Sequence, residues 1–341
     1  MLTIHTTSPM LTGGTVKESL ERLDDVTTWT EESGCDGMLV FADNVSYDPW
    51  VVAGRILGKS DRLIPLIAAN PVYQHPVTVA KSVNSVAAVH NRRIDLNLVA
   101  GGFSRHLTQM GCTLDHSERY DRLAEFGSII AELTTSERPA KYSGTYYKLN
   151  AICSSPPPPI GMTPRLYVSG ASEDCIRVQR LLDVTRLCYP RQPDQYEHES
   201  PFVNGGIRLG IVARDDSRAA WRIARERFPV DRVGEEFHDL AAETVESHWH
   251  RRLSQDALRT SKPEGNYWMY PFRAYKTFCP YIVGSHTEVV DLLLRYMRLG
   301  ASTFILDEPP SMEDLLYSVR SLRQAWARFT ADTADQDRGE A

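Results

Sequence analysis

Apolar and polar positions alternate along the chain with two different periods. Short apolar segments typical of strands lie at residues 2–5, 37–41, 64–68, 94–99, 166–168, 185–188, 207–212 and 303–306. Segments with the period of an amphipathic helix lie at residues 16–32, 49–57, 77–90, 119–133, 173–182, 217–226, 287–299 and 312–329. Because strand-like and helix-like segments alternate along most of the chain, the pattern predicts an α/β fold, a (β/α)8 TIM barrel forming one domain over residues 1–330.

Two insertions interrupt this pattern. Residues 138–164 contain Tyr142-Ser143-Gly144-Thr145-Tyr146-Tyr147 and then a proline run, which predicts a β-hairpin followed by an extended connection. Residues 229–280 form a long polar stretch, and since a structureless loop of that length is uncommon, we expect helices and a mobile lid there. The acidic tail at 331–341 is expected to be frayed.

Composition and charge narrow the class of protein. The 341 residues are 42% hydrophobic and 24% charged, and a net charge of −6 without a basic stripe argues against nucleic acid as the main partner. The N-terminal stretch lacks the features of a signal peptide and no apolar run approaches membrane-spanning length, so we expect a cytoplasmic protein with no membrane partner. Six scattered cysteines without a C-x-x-C pair predict reduced structural thiols and no metal site.

Two predicted strands end in glycine and small residues. The first is Asn97-Leu98-Val99-Ala100-Gly101-Gly102, and the second is Tyr167-Val168-Ser169-Gly170-Ala171-Ser172. Glycines allow tight turns and close approach of a ligand to the backbone. The second segment continues into a helical pattern, and a helix N-terminus offers free N–H groups that favour an anionic phosphate. Both segments are therefore expected to open onto one ligand site.

Several segments, taken in chain order, resemble the bacterial luciferase-like flavin-dependent monooxygenases, and most closely the branch of alkanesulfonate and pyrimidine-ring-opening monooxygenases. They lie at residues 97–102, 109–111, 115–120, 142–147, 166–172, 206–208 and 300–306, with the proline run in the family's order. Each segment alone is a weak signal, but their shared order and spacing make a strong one. The resemblance covers nearly the whole chain and implies reduced FMN as the cofactor.

The resemblance also implies which residues hold the flavin: Asn97, His106, Arg119, Tyr120, Ser169, Gly170, Ala171 and Ser172. Asn97 would bond the polar edge of the flavin ring, because a polar side chain in an apolar strand needs a partner. Arg119 and Tyr120 would contact the phosphate from a helix start, and Ser172 would belong to a phosphate-binding turn.

Each of these residues also has a purely structural interpretation. Arg119 could belong to a solvated ion pair with Glu118, Tyr120 to the core, and Ser172 to an ordinary helix N-cap. His106 could be a surface residue, and His116 could either be structural or line the site.

Three residues are candidates for the chemistry. Arg208 matches an active-site arginine and would stabilise anionic charge on the reacting oxygen, the alternative being an ion-paired barrel arginine. Asn70 could reach the flavin or oxygen, or start a turn before Pro71. Ser46 aligns with a cysteine of the alkanesulfonate branch.

Departures from that branch indicate a different substrate. Its histidine two positions after the arginine is Gly210 here, and its tyrosine after the eighth strand aligns near Pro309. Its lid arginine, which would hold a sulfonate, has no clear match, with Arg273 and Lys276 the nearest candidates. We therefore expect the same flavin with a substrate other than a sulfonate.

The resemblance implies a monooxygenase that oxygenates a small organic substrate with O2 through a flavin peroxide. No G-x-G-x-x-G fingerprint for a nicotinamide is present, so a separate NAD(P)H-dependent flavin reductase would supply the reduced FMN. Family members pair as homodimers or homotetramers. The alternatives are a deazaflavin-dependent hydride-transfer enzyme on the same fold and a non-catalytic flavin-binding protein.

Overall fold

The computed structural model describes residues 1–11, 14–196, 201–202, 205–244, 254 and 265–339. Its strands are β1 (Thr3–Thr7), β2 (Gly37–Val40), β3 (Ile64–Ala69), β4 (Asp95–Leu98), β5 (Ala140–Ser143), β6 (Lys148–Ile152), β7 (Leu166–Ser169), β8 (Thr185–Cys188), β9 (Gly205–Arg214), β10 (Tyr267–Trp268), β11 (Tyr281–Ser285) and β12 (Ala301–Leu306). Its α-helices are α1 (Val16–Glu32), α2 (Pro49–Lys59), α3 (Pro76–His90), α4 (Ser104–Gln109), α5 (His116–Thr135), α6 (Glu173–Leu182), α7 (Ser217–Arg227), α8 (Arg232–Thr244), α9 (Tyr270–Arg273), α10 (His286–Arg298) and α11 (Met312–Gly339).

Eight parallel strands close into a barrel, which confirms the predicted TIM barrel. Their order is β12, β1, β2, β3, β4, β7, β8 and β9, and β9 pairs with both β8 and β12 to close the ring. Each of these strands corresponds to one of the eight predicted from the apolar segments. The active site of such a barrel lies at the carboxyl ends of the strands, so the site is expected at that end of this barrel.

A layer of side chains fills the barrel beneath that face. It consists of Leu39, Leu66, Tyr167, Leu187 and Ile305, which come from five different strands and are all buried. Three of them, Leu39, Leu187 and Ile305, also line the cavity above the layer. The packed interior of the barrel is therefore the apolar floor of the site.

The predicted hairpin is present as β5 and β6, which pair antiparallel. Its turn is held by Glu125 of α5, whose carboxylate accepts the backbone N–H groups of Thr145, Tyr146 and Tyr147 at 2.7, 3.0 and 3.0 Å. One carboxylate thus fixes the whole turn against the barrel.

The predicted lid region contains α8, α9 and β10 among its described residues, which confirms the expectation of helices there. Strand β10 pairs with β11, and β11 pairs in parallel with the outer half of β9, so this region is attached to the barrel through β9. Residues 245–253 and 255–264 of the predicted lid lie outside the described residues. The mobility of the lid stays a prediction.

Helix α11 continues through most of the predicted tail to Gly339, and the fraying of that tail stays a prediction. The ion pair between Arg298 of α10 and Asp332, with an N–O distance of 2.6 Å, ties this extension to the neighbouring helix. Alanines at 331 and 334 also favour helix. Separately, none of the described helices has the length and apolar character needed to cross a membrane.

Candidate active site

A cavity of about 490 Å³ opens at the carboxyl ends of the barrel strands. Both glycine-ended segments meet there, since Gly101, Gly102 and Gly170 all line it. A volume of this size is typical of a pocket for a small molecule or cofactor. The structure therefore brings the two predicted segments together at one site.

One end of the cavity is built around the N-terminus of α6. The Ser172 hydroxyl caps this helix by accepting the N–H of Cys175 at 3.3 Å, and its oxygen lies 3.2 Å from Nε2 of His116. Ser169, Gly170, Ala171 and Ser172 all line the cavity, as does His116. The helix cap and the ligand wall are thus the same residues, so both interpretations of Ser172 hold structurally.

Tyr120 of α5 approaches the same turn closely. It is 6% exposed, it lines the cavity, and its hydroxyl donates to the carbonyl oxygen of Ser169 at 3.3 Å. A side chain at position 170 would place its Cβ 2.5 Å from that hydroxyl, and Gly170 has a φ of +149° that favours glycine. Burial raises the pKa of the Tyr120 phenol, so the group stays a neutral hydrogen-bond donor.

Asn97 lies beside this end of the cavity. It is buried in β4, lines the cavity, and accepts the Ser169 hydroxyl on Oδ1 at 2.8 Å. Within the described part of the chain its Nδ2 group has no acceptor, which leaves an amide donor for a ligand.

Asn70 and His106 also line the cavity. Oδ1 of Asn70 accepts the N–H of Val72 at 2.9 Å, so the expected turn is formed by a residue that still borders the site. His106 lies on α4, and its ring packs against Phe103 with centroids 5.5 Å apart. Both residues therefore lie in the cavity wall, and their roles toward a ligand stay predictions.

Two predicted site residues do not line the cavity. Arg119 is 3% exposed and donates to the carbonyl oxygen of Leu114 at 2.9 Å, because successive helical residues point about 100° apart and Tyr120 occupies the cavity side. Ser46 stands in a turn where its N–H bonds Oδ1 of Asp43 at 2.6 Å, and it is Asp43 that lines the cavity. We correct the placement of both residues accordingly.

The opposite end of the cavity contains Arg208 of β9. Its side chain is 15% exposed and lines the cavity, and Nη2 lies 3.0 Å from Oδ1 of Asp307. Its Nε is buried with no acceptor among the described residues. Burial by itself would lower the pKa of this guanidinium, but Tyr189 and Asp307 raise it, so Arg208 stays a cation.

Sequence reasoning missed the residues that surround this arginine. Oδ2 of Asp307 accepts the Thr277 hydroxyl at 2.6 Å and the Tyr281 phenol at 2.9 Å, and all three residues line the cavity. Tyr189 also lines it, 6.0 Å from the guanidinium carbon of Arg208 to the ring centroid. These residues come from three separate segments, at 189, 277–281 and 307, so no local motif identifies them.

The two predicted lid cations have different positions. Arg273 is directed at α8, where it pairs with Asp239 at 2.6 Å and donates to the carbonyl oxygen of Glu235. Lys276 lines the cavity and forms an ion pair with Asp231. Of these two cations, only Lys276 is therefore placed to contact a ligand in the cavity.

Comparison with known proteins places this chain in one family. The family model described as luciferase-like monooxygenase matches residues 1–303. The chain is 31% identical over 312 residues to 4-(γ-L-glutamylamino)butanoyl-[BtrI acyl-carrier protein] monooxygenase BtrO of Niallia circulans, which covers 89% of this chain and 91% of that protein.

Two solved structures share the fold. Riboflavin lyase RcaE, solved with modified FMN and riboflavin, superposes with a TM-score of 0.74 at 14% identity, over 95% of this chain and 92% of that chain. An F420-dependent secondary alcohol dehydrogenase superposes with a TM-score of 0.65 at 14% identity, over 94% of this chain and 99% of that chain. With the family model matching most of the sequence, the chain belongs to the luciferase-like monooxygenase family.

Proposed function

We propose that this protein is a flavin-dependent monooxygenase that uses reduced FMN and O2 to oxygenate a small organic substrate. A separate NAD(P)H-dependent reductase supplies the reduced flavin, and the enzyme acts in the cytoplasm as a homodimer or homotetramer. The name of the BtrO relative, which specifies monooxygenation of an acyl substrate, supports oxygenation of an organic molecule. When bound, reduced FMN supplies the electrons that activate O2.

The observation that carries this proposal is the cradle at the N-terminus of α6. Ser172, His116 and Tyr120 present polar side chains to one end of the cavity, next to the backbone of Gly170 and Ala171. A ten-residue helix with free N–H groups at this end favours a negatively charged phosphate. These residues fit the phosphate of FMN and would hold it.

The remaining wall fits a flavin ring and a reacting oxygen. The free amide of Asn97 would donate to an acceptor on the ring edge, and the apolar floor of Leu39, Leu187 and Ile305 would exclude water beneath it. The guanidinium of Arg208, which lines the cavity, would donate to an oxygen that gains negative charge, which is where such a donor has most effect.

The rival cofactor is the deazaflavin F420, because an F420-dependent dehydrogenase shares this fold. FMN is favoured by the match to the monooxygenase family and by the presence of FMN in the RcaE structure. A non-catalytic flavin-binding protein is disfavoured by the charged, partly unsatisfied Arg208 inside the cavity.

The test is an anaerobic titration of the purified protein with reduced FMN and, in parallel, with reduced F420. We expect tighter binding of FMN, followed by a flavin absorbance change that differs from that of free reduced FMN when O2 is admitted. Tighter binding of F420 with no oxygen-dependent change would instead assign a hydride-transfer enzyme. Binding of FMN with an oxygen reaction identical to that of free FMN would assign a flavin-binding protein.

A further inference from the structure

The cations that line the cavity are each paired with a carboxylate. Arg208 pairs with Asp307 at 3.0 Å and Arg22 with Glu308 at 2.9 Å, and Lys276 pairs with Asp231. Arg227 pairs with Asp314 at 2.8 Å, and Arg214 shares that carboxylate at 2.9 Å. The described wall therefore offers positive charge that is already balanced locally.

The pair inside the cavity is held most firmly. Asp307 is 14% exposed, and its two oxygens accept three donors, from Arg208, Thr277 and Tyr281, at 3.0, 2.6 and 2.9 Å. These contacts hold Asp307 against Arg208, so the guanidinium is not left free to capture another anion.

The position of Tyr281 depends on Gly210. A side chain at position 210 would place its Cβ 2.2 to 2.4 Å from atoms of the Tyr281 ring, so only a glycine leaves room for this ring. The glycine leaves space for a phenol that donates to Asp307. Gly210 therefore allows the Tyr281 donor that holds Asp307 beside Arg208.

A ligand at this end meets an ion pair of no net charge, in which the guanidinium of Arg208 still lines the cavity and has N–H groups beyond the one that Asp307 accepts. An anionic ligand would have to approach Asp307, and like charges in a partly buried site repel strongly. An uncharged acceptor can accept a hydrogen bond from the guanidinium without this repulsion.

We propose that the Arg208–Asp307 pair, held by Tyr281 and Thr277, selects substrates that present an uncharged oxygen acceptor, such as an amide or ester carbonyl, and excludes sulfonates and carboxylates. This inference rests on the proposed function, because it assigns the substrate class of the same site. It makes Asp307 a specificity-determining residue, and Tyr281 and Thr277 the residues that position it.

The experiment measures binding of hexanamide and of hexanesulfonate, two probes with the same alkyl chain, by isothermal titration calorimetry in the presence and absence of FMN. The wild type should bind hexanamide at least tenfold more tightly than hexanesulfonate. In Asp307→Asn, which releases the charge of Arg208, hexanesulfonate should bind at least tenfold more tightly than it does to the wild type. This is a gain of binding, which a damaged fold would not produce.

Asp43→Asn is the matched control. Asp43 lines the same cavity and accepts the N–H groups of Val45 and Ser46, but it has no ion-pair partner among the described residues. Removing its charge should raise hexanesulfonate affinity less than threefold. An equal gain in both variants would overturn the proposal, because it would show only the effect of overall charge.

A second variant covers the case in which Asp307→Asn does not fold. Arg208→Met keeps a long unbranched side chain but has no N–H donor, so hexanamide binding should fall at least tenfold while hexanesulfonate binding stays weak. Unchanged hexanamide binding would overturn the inference. The titrations without FMN keep this result separate from the proposed function, which fails only if the cofactor experiment fails.

Discussion

The two ends of the cavity are constructed in different ways. The end at α6 uses neutral donors, namely Tyr120, Ser172 and backbone N–H groups, and most of them lie within residues 169–172. The end at Arg208 uses the ion pair of Arg208 in β9 with Asp307 after β12, and hydroxyl donors from Thr277 before β11 and Tyr281 in β11. Under the proposed function, the α6 end would hold a phosphate that is the same in every enzyme that binds FMN, whereas the Arg208 end would meet a substrate that differs between enzymes. A local motif would then suffice for the first end, and a combination of distant residues would adjust the second.

The largest expected effect on this comparison comes from placing a carboxylate at the α6 end of the cavity. In Ser172→Asp, the N-cap is retained, but a negative charge would face the phosphate, and we expect FMN to bind about a thousandfold more weakly. Riboflavin, which lacks the phosphate, should bind the variant and the wild type equally well. Fluorescence titration measures both affinities, and Ser172→Thr is the control that keeps the hydroxyl. An equal loss for riboflavin would show that the phosphate does not lie at this end.

The next largest effect concerns the other end. Arg208→Ala should lower product formation about a hundredfold, because a donor to developing negative charge is lost, while FMN affinity stays within twofold of the wild type. The measurements are steady-state turnover with a substrate found by screening and the same flavin titration. A large loss of FMN affinity would contradict the division of the cavity into two independent ends.

The stability of the barrel interior, which supports both ends of the cavity, depends on pH. His5 is 1% exposed in β1, and burial, followed by the charges of Arg165 and Arg93, lowers its pKa from the ordinary value of 6.5 to about 4. The unfolded chain therefore binds this proton below pH 6.5 while the folded protein does not until pH 4. Between these values the free energy of unfolding should fall by about 3 kcal/mol as the pH is lowered.

Urea unfolding at several pH values measures that loss. In His5→Gln the decrease between pH 6.5 and 4 should be smaller than in the wild type by about this amount, whatever the absolute stability of the variant. His90→Gln, at an exposed position on α3, is the control and should follow the wild type. Equal slopes for His5→Gln and the wild type would show that the histidine is not buried in its neutral form.

The same contrast explains how much the sequence revealed. Helix α1 and helix α6 have the predicted ends, because amphipathic period and capping residues are encoded locally. Tyr120 and Ser172 could be found because they lie in contiguous motifs. Asp307 and Tyr281 could not, since their partnership exists only after β12 and β11 are brought together in the fold.

Near misses have an equally physical cause. A one-residue difference on α5 separates Tyr120, which lines the cavity, from Arg119, which does not. A three-residue difference in the turn after β2 separates Asp43 from Ser46. Sequence patterns locate a segment, whereas the direction of each side chain depends on packing that the pattern does not contain.

The smallest effect tests whether the Arg208 end depends on the fit of Tyr281 over Gly210. In Gly210→Ala the new methyl group would overlap the Tyr281 ring, so we expect a loss of about 1–3 kcal/mol in the free energy of unfolding. The control is Gly58→Ala in α2, where no atom lies within 4 Å of the added Cβ and helix propensity predicts a gain of up to about 1 kcal/mol. Adding Tyr281→Ala to Gly210→Ala should recover part of the overlap cost, because neighbouring substitutions are not additive. Fully additive losses in urea unfolding would mean that the ring and position 210 are not in contact, and the phenol would then lose its assigned place beside Asp307.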